Sequence, residues 1–420
     1  MQLTRRMMIQ DGLLVVSAGM IMPAVFSRAV HAARAIGLGG SATTAVASGH
    51  ALIVVQMAGG NDGLNTVVPY ADSLYRQARP TLGIAENEVL LLNDRLGLHP
   101  ALKALKTLWD NGHMAIVEGV GYPNQSLSHF QAMDIWQTLD LQGRGSQGWL
   151  GHYVAGLVDR DGHPFRALDV GTELPLALQS ISAPVPVIPS ATAYRLYPGA
   201  HSAAETRLRA QVLMNLYNSY PQAAPYAALL ESTVRDAQAS VQQLQQANVT
   251  YHPSVTYPPG PFATGLKLLA EVICQGLGLR VGYITLGGFD THARQQQVQP
   301  QLLQTFAEGI SALYQDLSNH GKADDVVIMT WSEFGRRVAE NASGGTDHGT
   351  AAPLFVIGNA VSGGIYGEPP DLGNLDDVGN LKYTTDFRSV YATVLDRWLG
   401  APSETILGGR FTIQGFLPAA

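Results

Sequence analysis

Short continuous apolar runs alternate along the chain with longer stretches whose apolar residues recur at helical spacing. Ala51 to Met57 is apolar nearly throughout, as a strand buried on both faces is. Pro100 to Trp109 has helical periodicity and ends near Asn111-Gly112, Met114 to Val120 reads as the next strand, and a helix is predicted from about His129 to Thr138. This alternation is the signature of a doubly wound sheet. Gly148 to Leu157 reads as a short helix. Residues 160–200 are rich in proline and short strand-like pieces, 203–248 hold long helical patterns ending in the Gln-rich stretch Gln238 to Gln246, and 252–262 are again rich in proline. The pattern predicts an insertion or helical cap over 160–260. Alternation resumes with a helix over Ala263 to Gln275 and a strand over Arg280 to Leu286. A helix from about Pro300 to Asn319, strands over Val326 to Thr330 and Pro353 to Ile357, and a helix over Phe387 to Leu399 complete it. The expected fold is α/β: a three-layer α/β/α core with a mostly parallel sheet and a helical insertion, spanning 50–420.

Composition narrows the function classes. At 46% hydrophobic and 14% charged residues the 420-residue chain can bury a large core, which excludes a disordered protein. The net charge of -7 and the lack of a basic patch with interleaved aromatics argue against a nucleic-acid partner. The N-terminus carries an address: Thr4-Arg5-Arg6, an apolar stretch from Gly12 to Phe26, then two small-x-small cleavage candidates ending at Ala32 and Ala35. This resembles a twin-arginine export signal over residues 1–35. Gly12, Gly19 and Pro23 interrupt the apolar run, which is shorter than the roughly 20 residues of a spanning helix. Residues 36–49, rich in Gly, Ala, Ser and Thr, read as a linker. The expected setting is periplasmic or secreted, with the twin-arginine translocase as a partner during export. The single cysteine, Cys274, permits no intramolecular disulfide and reads as a buried small hydrophobe.

Two acidic-histidine clusters carry the candidate chemistry. Gly288-Phe289-Asp290-Thr291-His292 directly follows the apolar run Val281 to Leu286, and Thr346-Asp347-His348-Gly349 precedes the run Pro353 to Ile357. Carboxylates and imidazoles ligate divalent metals, and open α/β sheets bind ligands beyond the carboxyl ends of their strands. Asp290, His292, Asp347 and His348 are therefore candidate metal ligands. Asp62, in the glycine-rich turn after the first strand, is a ligand, a base, or simply a turn residue. Ser128, with Gln131 three residues on, has a capping-box pattern, and its hydroxyl would also face a helix N-terminus suited to an anion. His129 is a ligand, a base or an ordinary partly buried histidine. Glu333 and Arg336, after the strand ending at Thr330, offer a carboxylate for a metal and a guanidinium for an oxyanion. The other histidines lack such context.

The Ile53-to-Pro69 segment, Ser128-His129-Phe130, Gly148-Trp149-Leu150, Gly287 to His292, Ser332 to Arg336 and Thr346 to Gly349 together resemble the exported bacterial family known as domain of unknown function 1501. The resemblance covers essentially the whole chain after the signal. It implies membership of the alkaline phosphatase and sulfatase superfamily. On that pattern Asp62 is a metal-binding aspartate, Ser128 the nucleophile, Asp290 and His292 a pair on one metal, and His348 the residue completing that shell. The superfamily pair is usually spaced Asp-x-x-x-His, whereas this chain has Asp-x-His. Ser332-Glu333 stands where many members carry Asp-His, so either Glu333 replaces a carboxylate or the second metal site is gone. The implied cofactor is one or two divalent ions, zinc or magnesium, manganese or calcium. The implied partner is a small anionic ester substrate, with Arg336 neutralising its charge. The alternative is a non-catalytic envelope protein with a protein partner. If one site exists, Asp290, His292 and His348 converge, Asp62 and Glu333 form an adjacent oxygen-rich half, and Ser128 points into the gap.

Overall fold

The computed structural model describes residues 49–419 apart from 158–162, 182, 196–201, 203, 206, 207, 210, 213, 214, 216–226 and 370. The expected export signal and nearly all of the linker lie outside the described residues. Eleven strands are present among them: β1 (Ala51–Ala58), β2 (Val67–Val68), β3 (Leu90–Leu91), β4 (Gly97–Leu98), β5 (Met114–Gly121), β6 (Ala167–Val170), β7 (Val281–Gly287), β8 (Val326–Trp331), β9 (Ala352–Ile357), β10 (Gly364–Tyr366) and β11 (Thr385–Asp386). The main sheet runs β10-β5-β9-β8-β1-β7-β6, with β11 also on β5. Only β9 is antiparallel to its neighbours; β1, β7, β8 and β6 pair in parallel, and β5 pairs in parallel with β10 and β11.

Side chains alternate across β1 and so build two cores. Ile53, Val55 and Met57 face one layer with the helices Lys103–Asp110, Pro261–Cys274 and Gln295–Asn319. Leu52 and Val54 face the other, with the helices His129–Thr138, Trp149–Gly156 and Phe387–Thr393. Each such side chain contributes about 1.5–3 kcal/mol on burial. The expected three-layer α/β/α architecture with a mostly parallel sheet is the observed one.

The details differ where tertiary contacts outweigh local pattern. The helix expected from Pro300 begins at Gln295, because Gln295 and Gln299 are fixed by side-chain bonds to Asp62 and its backbone. The helix expected over Phe387 to Leu399 is α-helical over Phe387–Thr393 and continues as a π turn over Val394–Trp398, and a short helix, Ser403–Leu407, follows it. The small antiparallel sheet β2-β4-β3 has strands too short to leave a period in the sequence. Within 160–260, β6 extends the main sheet beside β7, and the helix Ala227–Thr250 places Ala237, Val241 and Leu244 in the first core. No helix of the described residues is long and apolar enough to cross a membrane.

Glu118 is a buried liability in β5. It sits at the register shift between Val117 and Val120, its Oε1 has no partner, and a small cavity lined by Leu64, Pro353 and Leu381 adjoins it. Burial pushes its carboxyl from an ordinary 4.5 up to about 8. Between those two values the unfolded chain has released the proton and the folded chain holds it, so stability falls as pH rises through the window. Glu118→Gln is expected to be near neutral at pH 4.5 and to stabilise by about 4 kcal/mol at pH 8. Urea unfolding at the two pH values measures this, and equal effects at both would contradict it.

Candidate metal centre

All chain segments that carry the candidate residues meet at one sheet edge. The parallel strands β1, β7 and β8 end there in Gly59-Gly60, Gly288 to Asp290 and Ser332-Glu333. Because β9 runs the other way, its beginning lies at that same edge, and His348 stands just before it. Leu127 to His129 arrive from the carboxyl end of β5. The packing is close: Gly59, at φ +120, could not carry a Cβ, which would collide with the backbone of Phe289 and Asp290. A Cβ on Gly345 would likewise strike the backbone of Thr291 and His292.

Three imidazoles converge on one carboxylate. His348 Nε2 and His292 Nε2 each lie 3.1 Å from Asp290 Oδ1, and His129 Nε2 lies 3.4 Å from Asp290 Oδ2. His292 Nε2 and His348 Nε2 are 2.9 Å apart. The ligating atoms of His129, Asp290 and His348 are all within 4.8 Å of one another.

The opposite ring nitrogens are pinned. His129 Nδ1 lies 2.7 Å from Glu333 Oε1, His292 Nδ1 is 3.2 Å from Asp347 Oδ1, and His348 Nδ1 is 2.8 Å from the carbonyl of Leu127. Each partner is an acceptor, so each Nδ1 carries the hydrogen and each Nε2 presents a lone pair inwards. His129 Nε2 is buried and hydrogen-bonds to nothing. Three lone pairs and a carboxylate directed at each other repel unless a cation sits between them. Ligands at zinc-like distances of about 2.0–2.1 Å, arranged tetrahedrally, stand roughly 3.4 Å apart, close to the spacings here. The residues present therefore fit a divalent metal, with an imidazole-rich set that suits zinc better than magnesium or calcium.

Electrostatics agree. Burial raises the Asp290 carboxyl, but the Arg336 guanidinium that bonds it, with His348 and His292 beside it, outweighs burial and holds it at about 2. Burial pushes His348 below its ordinary value, against the pull of Asp290. Hydrogen bonds from Asn341 and then His292 lower Asp347. These shifts favour the ionised Asp290 carboxylate and the neutral His348 imidazole, the forms that bind metal.

The sequence-predicted residues divide. Asp290, His292 and His348 meet as expected. Glu333 and Asp347 stand behind histidines as hydrogen-bond partners; Glu333, buried, also accepts from the Gly59 amide at 2.8 Å. Asp62 does not join an oxygen-rich half. It is buried against Arg79, whose Nη1 bonds Oδ2 and whose Nη2 bonds Oδ1 at 2.9 Å, and Gln295 caps it. Arg336 is fully buried; its guanidinium donates to the carbonyls of Gly59, Gly60, Phe289 and Thr346 and to Asp290 Oδ1 at 2.7 Å. That makes it a positioning residue rather than an oxyanion binder. Ser128 is the N-cap of the helix His129–Thr138, but its side chain makes no cap bond, and the Gln131 side chain accepts from Ser126 Oγ rather than completing a capping box. Its exposed hydroxyl lies between Leu127 and His129, both tied to the centre. The residue that the reading of the sequence underrated is His129. Its signal was its place directly after a serine at a helix start, opposite a carboxylate beyond another strand.

Since outer hydrogen bonds orient ligands, Glu333→Gln is expected to weaken metal affinity by about 10–100-fold while the fold persists. Competition with a chromogenic chelator measures it, and unchanged affinity would remove Glu333 from the centre.

A family model described as "Protein of unknown function (DUF1501)" matches residues 112–406. No curated protein sequence matches the chain. Among solved structures it is similar to a lipoteichoic acid synthase from Listeria monocytogenes, at 10% identity over 94% of this chain and 80% of that one, with a TM-score of 0.29. It is similar to a sulfatase from Pseudoalteromonas sp. at 9% identity over 92% and 71%, with a TM-score of 0.36. It is also similar to the alkaline phosphatase of the Antarctic bacterium TAB5 at 9% identity over 77% and 95%, with a TM-score of 0.28.

Proposed function

The chain belongs to the DUF1501 family, and from that premise we propose that it is an exported, metal-dependent hydrolase of phosphate or sulfate esters. One observation carries the reading: three histidine Nε2 lone pairs, each fixed by an acceptor on Nδ1, face a single carboxylate at a sheet edge. His129, His292, His348 and Asp290 would hold the ion. A bound divalent ion supplies a Lewis acid for the ester oxygens and a lowered pKa for a hydroxyl or water.

The protein's own groups do the rest. Arg336 and the Gly59-Gly60 turn fix Asp290. Glu333 orients His129 and Asp347 orients His292. Ser128, uncommitted and exposed at a helix N-terminus, is the nucleophile of this reading, and the free amides of that first turn receive an anionic ester. With Asp62 neutralised by Arg79, the reading is a one-metal site. The twin-arginine pattern at Arg5-Arg6 supports export to the periplasm of a chain that folds and loads its metal first.

The test is metal content and turnover of 4-nitrophenyl phosphate and 4-nitrophenyl sulfate by protein recovered through its native export route. Stoichiometric metal, with activity lost in Ser128→Ala, supports the reading. A metal-free, inert protein sinks it. The second reading, a non-catalytic envelope binding protein, is favoured by the Asp62–Arg79 pairing, which removes the carboxylate of a second metal site. Stoichiometric metal with no turnover of either ester would select it.

A further inference from the structure

Next to the segment that carries Arg336, an open cleft of about 430 Å³ lies between the helix Ser73–Ala78, the segment Arg337 to Ala339 and the loop holding Leu372, Leu375 and Val378. Its size falls within the range of small-molecule pockets. Apart from Gln77 and Arg337 its walls are apolar, and Leu74 and Val378, which both line it, are 40% and 60% exposed. Behind them, Val338 and Leu372 belong to a small buried cluster that gives the cleft a firm floor.

Among the lining residues only Arg337 is charged. Its guanidinium makes no hydrogen bond or ion pair with any described residue and feels Asp347 only at longer range. Its backbone, in contrast, is fixed, with the amide on Asp347 O and the carbonyl accepting from Arg79. In the adjoining loop Asp371 accepts from Gly373, and Asp376 from Val378 and Asn380, whereas Asp377, exposed beside Val378, has no such bond among the described residues. A rigidly based, uncommitted guanidinium beside exposed apolar walls matches an anionic head on an apolar tail.

We propose that this cleft binds a single-chain anionic amphiphile as a free monomer, its alkyl chain along Leu74, Ala78, Leu375 and Val378 and its carboxylate, sulfate or phosphate head on Arg337. The site is independent of the metal-centre reading, since binding there requires no metal.

Isothermal titration with decyl sulfate below its micelle concentration, on the full chain treated with chelator, tests it. One saturable site is expected. Arg337→Gln should weaken binding about tenfold, the size of one charge-assisted bond. Val378→Asp, at an exposed position that leaves the fold intact, should weaken it further by repelling the head. Decyl maltoside, neutral with the same tail, should bind more weakly and be indifferent to Arg337→Gln. No saturable binding of decyl sulfate, or equal binding of the neutral detergent, would overturn the proposal. So would binding only to phosphatidylglycerol vesicles, which would make the cleft a membrane contact instead.

Discussion

His348→Ala is expected to empty the metal centre and leave a folded protein. Structural zinc sites bind with about 10–16 kcal/mol shared among four ligands, so one imidazole is worth about 3 kcal/mol, or 10²–10³-fold in affinity. His348 is a partly exposed loop side chain held by the Leu127 carbonyl, and its loss opens no core cavity. After dialysis, elemental analysis should find about one ion per wild-type chain and almost none in the variant, with similar unfolding curves for the two metal-free proteins. A variant that keeps its metal would falsify the convergence of these ligands. Acid should have the same effect as the mutation: as pH falls, protons compete for the three imidazoles and the ion leaves, in proportion to the protons taken up.

Arg79→Ala should give the opposite result: a strongly destabilised protein whose surviving folded fraction still binds metal. The Arg79 and Asp62 side chains are 0% and 1% exposed, and the guanidinium also bonds Asn65 and the carbonyls of Val338 and Arg337. Removing one partner of a buried pair strands the other, at a cost of about 3–5 kcal/mol. Denaturant unfolding reads the loss. Asp62→Asn, which keeps the shape and several of the bonds, should retain metal at the wild-type stoichiometry. Loss of metal there would return Asp62 to the ligand set.

The two variants mark where the sequence was legible. The positions of Asp290 and His348 could be read because each sits beside an apolar run that becomes a strand, and strand ends of a parallel sheet share an edge. Asp62 has the same local pattern, yet its role is set by Arg79, contributed by the short helix region Ser73–Ala78 that leaves almost no periodic signal. Glu333 and Arg336 were named as candidate site residues, but whether a carboxylate would touch an ion or the histidine behind it depends on distances of an ångström. Such distances come from packing, as at Gly59 against Asp290, and no spacing in the chain encodes them. His129 shows the converse. Its neighbours suggested a cap, and only the fold brought Glu333 to its other nitrogen.

The centre also reports the order of assembly. His129 meets Glu333 across 204 positions, and His348 meets Leu127 across 221. Contacts this distant in the chain close late, because the entropy of closing large loops must be met before they reward it. No partly formed domain can present the three inward nitrogens together. A divalent ion held between these nitrogens would therefore report that both halves of the chain have docked.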